Sequence, residues 1–106
     1  MQVFEIQRMT QVDDGIGGFT ENWAPFKTVQ GYLDLITGTD LNTLQNAFTE
    51  QSTHVLIIPI YTDGITDKMR VVDKNDRYYT VTYVDDPVGV GHHNELYIKF
   101  GGVIDG

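Results

Sequence analysis

The feature that most constrains this chain is its punctuation. Short runs of alternating or β-branched residues recur along most of its 106 residues, and turn formers close each one. Residues 2–10 place Phe4 and Ile6 on one face and Glu5 and Gln7 on the other, the period of two expected of a half-buried strand. Asp13-Asp14-Gly15-Ile16-Gly17-Gly18 holds five turn formers in six positions and predicts a chain reversal. A second extended stretch covers 19–36. It is expected to break near Pro25, which has no N–H to donate to a ladder and so marks an edge or a bend. Past that point Val29, Gly31, Leu33 and Leu35 share one face.

The second half repeats the pattern. Strands are expected over 53–61, 65–72, 77–84 and 95–100, separated by Thr62-Asp63-Gly64, Asp73-Lys74-Asn75-Asp76 and the loop 85–94. Short strands at this spacing read as an all-β barrel or sandwich. The glycine-rich end, 101–106, is expected to fray. The expected core is Phe4, Ile6, Val29, Leu33, Leu56, Ile58, Val71, Val81, Val84 and Leu96.

One segment breaks the rhythm. After Thr37-Gly38-Thr39, Asp40 can cap a helix N-terminus, and Leu41, Leu44, Ala47 and Phe48 recur at helical spacing. Asn42, Gln45 and Asn46 fall opposite. About ten residues rich in Asn and Thr make a marginal helix unless something packs on it. A short helix or helix-containing loop is therefore expected between strands, within a single domain of 1–106.

Composition limits the chemistry. Fifteen acidic residues against seven basic ones give a net charge of -8. Proteins that bind nucleic acid chiefly through phosphates need lysine and arginine to displace counterions, so that mode is disfavoured. The chain has no cysteine, which removes disulfides, thiolate metal sites and a cysteine nucleophile. Ser52 is the lone serine, and it stands in no nucleophile elbow. The start lacks a basic region followed by an apolar one, so no secretory leader is expected. The longest apolar run, 55–60, falls far short of the ~20 residues that span a bilayer.

Three constellations invite a sharper reading. Asp85 and Asp86 lie near His92 and His93, but neighbours on an extended chain point to opposite faces and no third ligand is suggested. His54 falls on a different strand. Gly15-Ile16-Gly17-Gly18 and Gly89-Val90-Gly91 fail the spacing of phosphate-binding loops and read as turns. Tyr78, Tyr79 and Tyr83 could stack bases, but such platforms come with a basic groove. With Tyr79, Val81 and Tyr83 on one face, core or inter-subunit packing is the simpler expectation. No catalytic residue, metal site or cofactor is expected.

Taken together, certain landmarks become familiar. They are the Gly17-Gly18 turn with Trp23 after it, the Val29 to Leu35 alternation running into a polar segment, and Ser52-Thr53-His54 opening a strand that Tyr61 closes. Lys68-Met69-Arg70-Val71-Val72, Tyr78-Tyr79-Thr80-Val81 and the Val84-Asp85-Asp86-Pro87 loop ending at Glu95 complete the series. This layout resembles the head–tail joining family, also called head completion or stopper proteins, of long-tailed phages and prophages. The resemblance covers roughly residues 1–100.

It implies a mostly-β chain, a small barrel of about six strands, that forms a ring with copies of itself. The ring would sit between a portal- or adaptor-side protein and a tail-side joining protein in the virion neck, after assembly in the bacterial cytoplasm. Packaged DNA would pass without specific binding, and no membrane is involved. The family's channel loop falls on 37–51, so Asp40, Asn42, Gln45, Asn46 and Glu50 become candidate channel and gating residues, in a segment expected to be mobile. Two other classes remain open: a small acidic binding module (an inhibitor or an oligonucleotide-binding-like barrel), and an enzyme built on Asp85, Asp86 and His92.

Overall fold

The computed structural model describes residues 1–36, 52–86, 89 and 91–104. The expected helix and the candidate gating residues Asp40, Asn42, Gln45, Asn46 and Glu50 lie outside the described residues.

Among the described residues six strands form: β1 (Gln2–Asp13), β2 (Phe19–Leu35), β3 (His54–Ile58), β4 (Met69–Val72), β5 (Arg77–Asp85) and β6 (Asn94–Val103). All pair antiparallel, and the order β1-β2-β3-β6-β5-β4 closes on itself through β4 and β1. A closed sheet removes strand edges and turns alternate residues into one shared interior. Phe4, Ile6, Leu56, Val71, Leu96 and Ile98 are fully buried there, with Val29, Ile58, Ile65, Tyr79 and Val81 close behind. Leu33 and Val84 pack against this cluster while partly exposed. The barrel is filled by side chains, so it is a core and not a pore.

Closure does not extend to the whole of the first hairpin. β1 and β2 pair along their full length, from Gln2–Gly31 to Asp13–Phe19, but β4 covers β1 only from Glu5 to Arg8. On the other side, β3 covers β2 only from Tyr32 to Leu35. The distal hairpin, 9–13 with 19–23, is therefore a two-stranded arm of about 17 Å at ~3.4 Å per residue. It draws the molecule out to 50 × 27 × 25 Å. At its tip Asp13 and Asp14 accept backbone N–H groups from Gly15, Ile16 and Gly18 at 2.9–3.0 Å. Gly15 and Gly17 adopt the positive φ values (82° and 91°) that this reversal needs.

Pro25 does not break β2. It pairs opposite Gln7, where β1 and β2 slip register by one residue, on a stretch of β2 that has no second neighbour. An edge beside a bulge is where a strand tolerates proline. Two other expectations also need correcting. Residues 65–68 are not strand: Thr66 turns the chain by accepting N–H groups from Met69 and Lys68, and Ile65 anchors the loop in the core. Pairing continues past Phe100 to Val103, and the Ile104 N–H donates to Asp76 O at 2.7 Å. The reason is close packing. A Cβ on Gly101 would fall 2.2 Å from the Tyr78 ring, so glycine there lets the strand lie on the aromatic face.

Candidate functional site

Three places on the barrel concentrate polar chemistry. The first is the neck from which 37–51 departs. The Ile36 N–H donates to Thr53 O at 2.9 Å, and the Thr53 N–H donates to Ile98 O at 2.9 Å. These bonds tie the two ends of the insertion to each other, and its far end to β6. Thr53 Oγ1 accepts the Phe100 N–H at 2.8 Å and meets His54 Nδ1 at 2.7 Å. Thr82 Oγ1 donates to Tyr97 O, so the Ser52 hydroxyl, 2.6 Å away, is the donor of that pair. Ser52 is thus a buried hydroxyl that helps to bind this neck together. His54 stands edge-on to Tyr79, which stands edge-on to Phe100. Burial and then the Arg77 guanidinium hold the His54 imidazole below its ordinary range.

The second place is the rim where β5 passes into β6. Asp85 pairs directly opposite Glu95. Burial pushes the Asp85 carboxyl up, as do the Glu95 and Asp86 charges, while His93 opposes them. His93 Nε2 lies 2.9 Å from Glu95 Oε2, and His92 meets His93 at 2.9 Å. Asp86 accepts the Gly91 N–H and so serves as a loop cap. Among the described residues no group of three or more His, Cys, Asp or Glu side chains is placed to hold a metal ion.

The third place was not anticipated from the sequence. The Arg70 guanidinium lies 4.6 Å from the Trp23 ring centroid and 5.2 Å from that of Tyr78. Its Nε donates to Gln7 Oε1 at 2.7 Å, and Gln7 in turn donates to Glu5. This stack joins the base of the arm to β4 and β5. Arginine between aromatic rings can be read only after the register brings 23, 70 and 78 together.

The tyrosine platform does not form. Tyr79 points into the core, but a register shift between Val81 and Tyr83 turns Tyr83 outward beside Tyr97. Tyr79, Val81 and Tyr83 therefore do not share one face. Tyr78 is engaged by Arg70 and the Gly101-Gly102 backbone. A cleft of about 390 Å³ opens where β2 parts from the end of β3, lined by Thr28, Val29, Gln30, Ile58 and Ile60 among others. None of its lining side chains is ionisable. No described helix is long and apolar enough to cross a membrane.

What these places have in common is that their polar groups hold backbone and loops in position; the chemistry is that of a scaffold. No curated protein matches the chain. A family model, described as phage head completion protein, matches residues 2–99, spanning all six strand starts and the insertion. On that match the chain belongs to the phage head completion protein family, whose members are structural components of the phage head.

Proposed function

We propose that this chain is a ring subunit of the head–tail connector, closing the DNA-filled head and joining it to the tail. The observation that carries this reading is the family match, which covers the barrel and the inserted segment together. Two physical features support it. The interior is filled by Phe4, Ile6, Leu56 and their neighbours, so a channel for DNA would be enclosed by several copies rather than by one. The net charge of -8 would give such a channel an acidic wall, along which DNA gains no counterion release and does not stick.

In this reading the ring sits between a portal- or adaptor-side protein and a tail-side protein in the virion neck, and it assembles in the bacterial cytoplasm. The segment 37–51 reaches into the channel, with Asp40, Asn42, Gln45, Asn46 and Glu50 on it, while the barrel docks. The hydrogen bonds at Ile36, Ser52 and Thr53 suit a firm base for such a segment. Like-charged subunits repel over a Debye length of about 8–10 Å, so rings form on the vertex, where an adaptor holds copies at high effective concentration.

The test replaces residues 40–50 with a short Gly/Ser linker. Heads should still take up the variant at normal stoichiometry but lose their DNA. Heads that carry the variant and stay full would remove the segment from the gating role. Failure to dock would assign it to an interface.

A further inference from the structure

We propose that Thr53 and His54 form a proton-operated clasp at the neck of the insertion, in which neutral His54 fixes the Thr53 hydroxyl against β6 and protonated His54 lets it go. The clasp belongs to the folded barrel and does not depend on the connector reading. Its origin lies in the register. Were the His54–Ile98 pairing to continue, Ser52 would stand opposite Phe100, where a ladder carbonyl takes the N–H. Ser52 is turned instead to Thr82 on β5. The Thr53 hydroxyl stands in for the missing acceptor and receives the Phe100 N–H at 2.8 Å.

A hydroxyl has one proton to give, and His54 Nδ1 lies 2.7 Å from this one. Because Thr53 Oγ1 already accepts from Phe100, its own proton goes to Nδ1, which must then carry a lone pair. Neutral His54 therefore keeps its proton on Nε2. Each member of the chain, from the Phe100 N–H through the Thr53 O–H to Nδ1, donates onward. Protonation of Nδ1 reverses the last link. Two donors then converge on one oxygen, and the proton of that oxygen loses its acceptor. The charge-assisted bond from the imidazolium is the stronger, so the Phe100 amide loses its hold.

The setting keeps the ring neutral until the pH falls. The charged and titratable groups set against it are the Arg77 guanidinium and the Tyr79 phenol, both from β5. β2 brings Leu35, and β6 brings Ile98 and Phe100, none of which carries charge. Burial first, and then Arg77, oppose the imidazolium. The Thr53 bond acts in the same direction, since a hydrogen bond to the neutral form disfavours the charged one. The neck passes through the same residue: the Ile36 N–H donates to Thr53 O, and the Thr53 N–H donates to Ile98 O. Loosening Thr53 thus loosens the point where the insertion leaves and returns.

The experiment follows the full chain by NMR through the His54 titration, reading the imidazole nitrogens and the exchange of backbone amides. Neutral His54 should show a bare Nδ1 and a protonated Nε2. As the ring takes up its proton, exchange of the Phe100 amide, corrected for its intrinsic pH dependence, should rise about five- to tenfold, the worth of one hydrogen bond. The Ile6 and Val71 amides, in the β1–β4 ladder, should change less. A second arm alters the hydroxyl. Thr53→Val should let His54 titrate nearer its ordinary value, and Thr53→Ser should restore the wild-type titration. A neutral His54 with its proton on Nδ1, or Phe100 exchange that ignores the titration, overturns the clasp. So does a folded Thr53→Val chain whose His54 titrates as in the wild type.

Discussion

The closed barrel and the arm that leaves it are built from the same two strands, yet they obey different rules. From Glu5 to Arg8, β1 has a neighbour on each side, and Phe4 and Ile6 enter a shared core. Beyond Arg8, β1 and β2 have only each other, and Ile16 and Phe19 are 89% and 68% exposed. An isolated two-stranded hairpin is marginally stable in water. What holds this one is the ladder, the aspartate-capped tip and the Arg70 stack at its base. The barrel thus carries the stability, and the arm adds exposed surface to it.

The largest effect that would break this contrast lies in the barrel. Leu56→Ala, at a fully buried site, should cost about 2–5 kcal/mol and lower the denaturant midpoint. An unchanged midpoint would mean that stability resides elsewhere. At the junction, Arg70→Ala removes the guanidinium from between Trp23 and Tyr78. It should cost about 1–2 kcal/mol, within the range of desolvated cation–π contacts. Trp23 is the one tryptophan in the chain, so its fluorescence should shift with the change. A silent spectrum would show that the stack does not brace the arm.

A smaller effect depends on pH. The His54 imidazole titrates below its ordinary value of about 6.5 when folded, so the unfolded chain binds that proton first. Its contribution is complete above the ordinary value and is lost as pH falls through it toward the folded value. The midpoint should therefore drop as pH falls below the ordinary value of about 6.5, and His54→Gln should flatten part of that drop. An identical slope in the variant would remove His54 as a cause. The smallest stability effect belongs to the arm: Phe19→Ser should change stability by less than about 0.5 kcal/mol, as exposed substitutions do. A loss comparable to that of Leu56→Ala would make the arm part of the core.

Much of the barrel was legible because burial on one side of a sheet writes a period of two into the residues. Phe4, Ile6, Leu56, Ile58 and Leu96 could be placed inside from that pattern alone. Tyr83 could not, because a one-residue register shift after Val81 reverses its face and leaves no mark in composition. Gly101-Gly102 read as a fraying end because the Tyr78 ring it packs on lies over twenty residues away in sequence. At the candidate sites, adjacency misled in the opposite direction. Asp85, Asp86, His92 and His93 are close in sequence, but Asp86 caps a loop while His93 meets His92 and Glu95. The Arg70 stack was hidden because it draws on three strands whose register no local pattern reveals.

On the proposed reading, this chain completes the phage head. The most direct measurement compares heads made without it, before and after the purified protein is added back. Heads lacking the protein should lose their DNA and fail to take tails. Heads supplied with it directly after packaging should retain DNA and join tails to give infectious particles. Heads that stay full and accept tails without the protein would contradict the account.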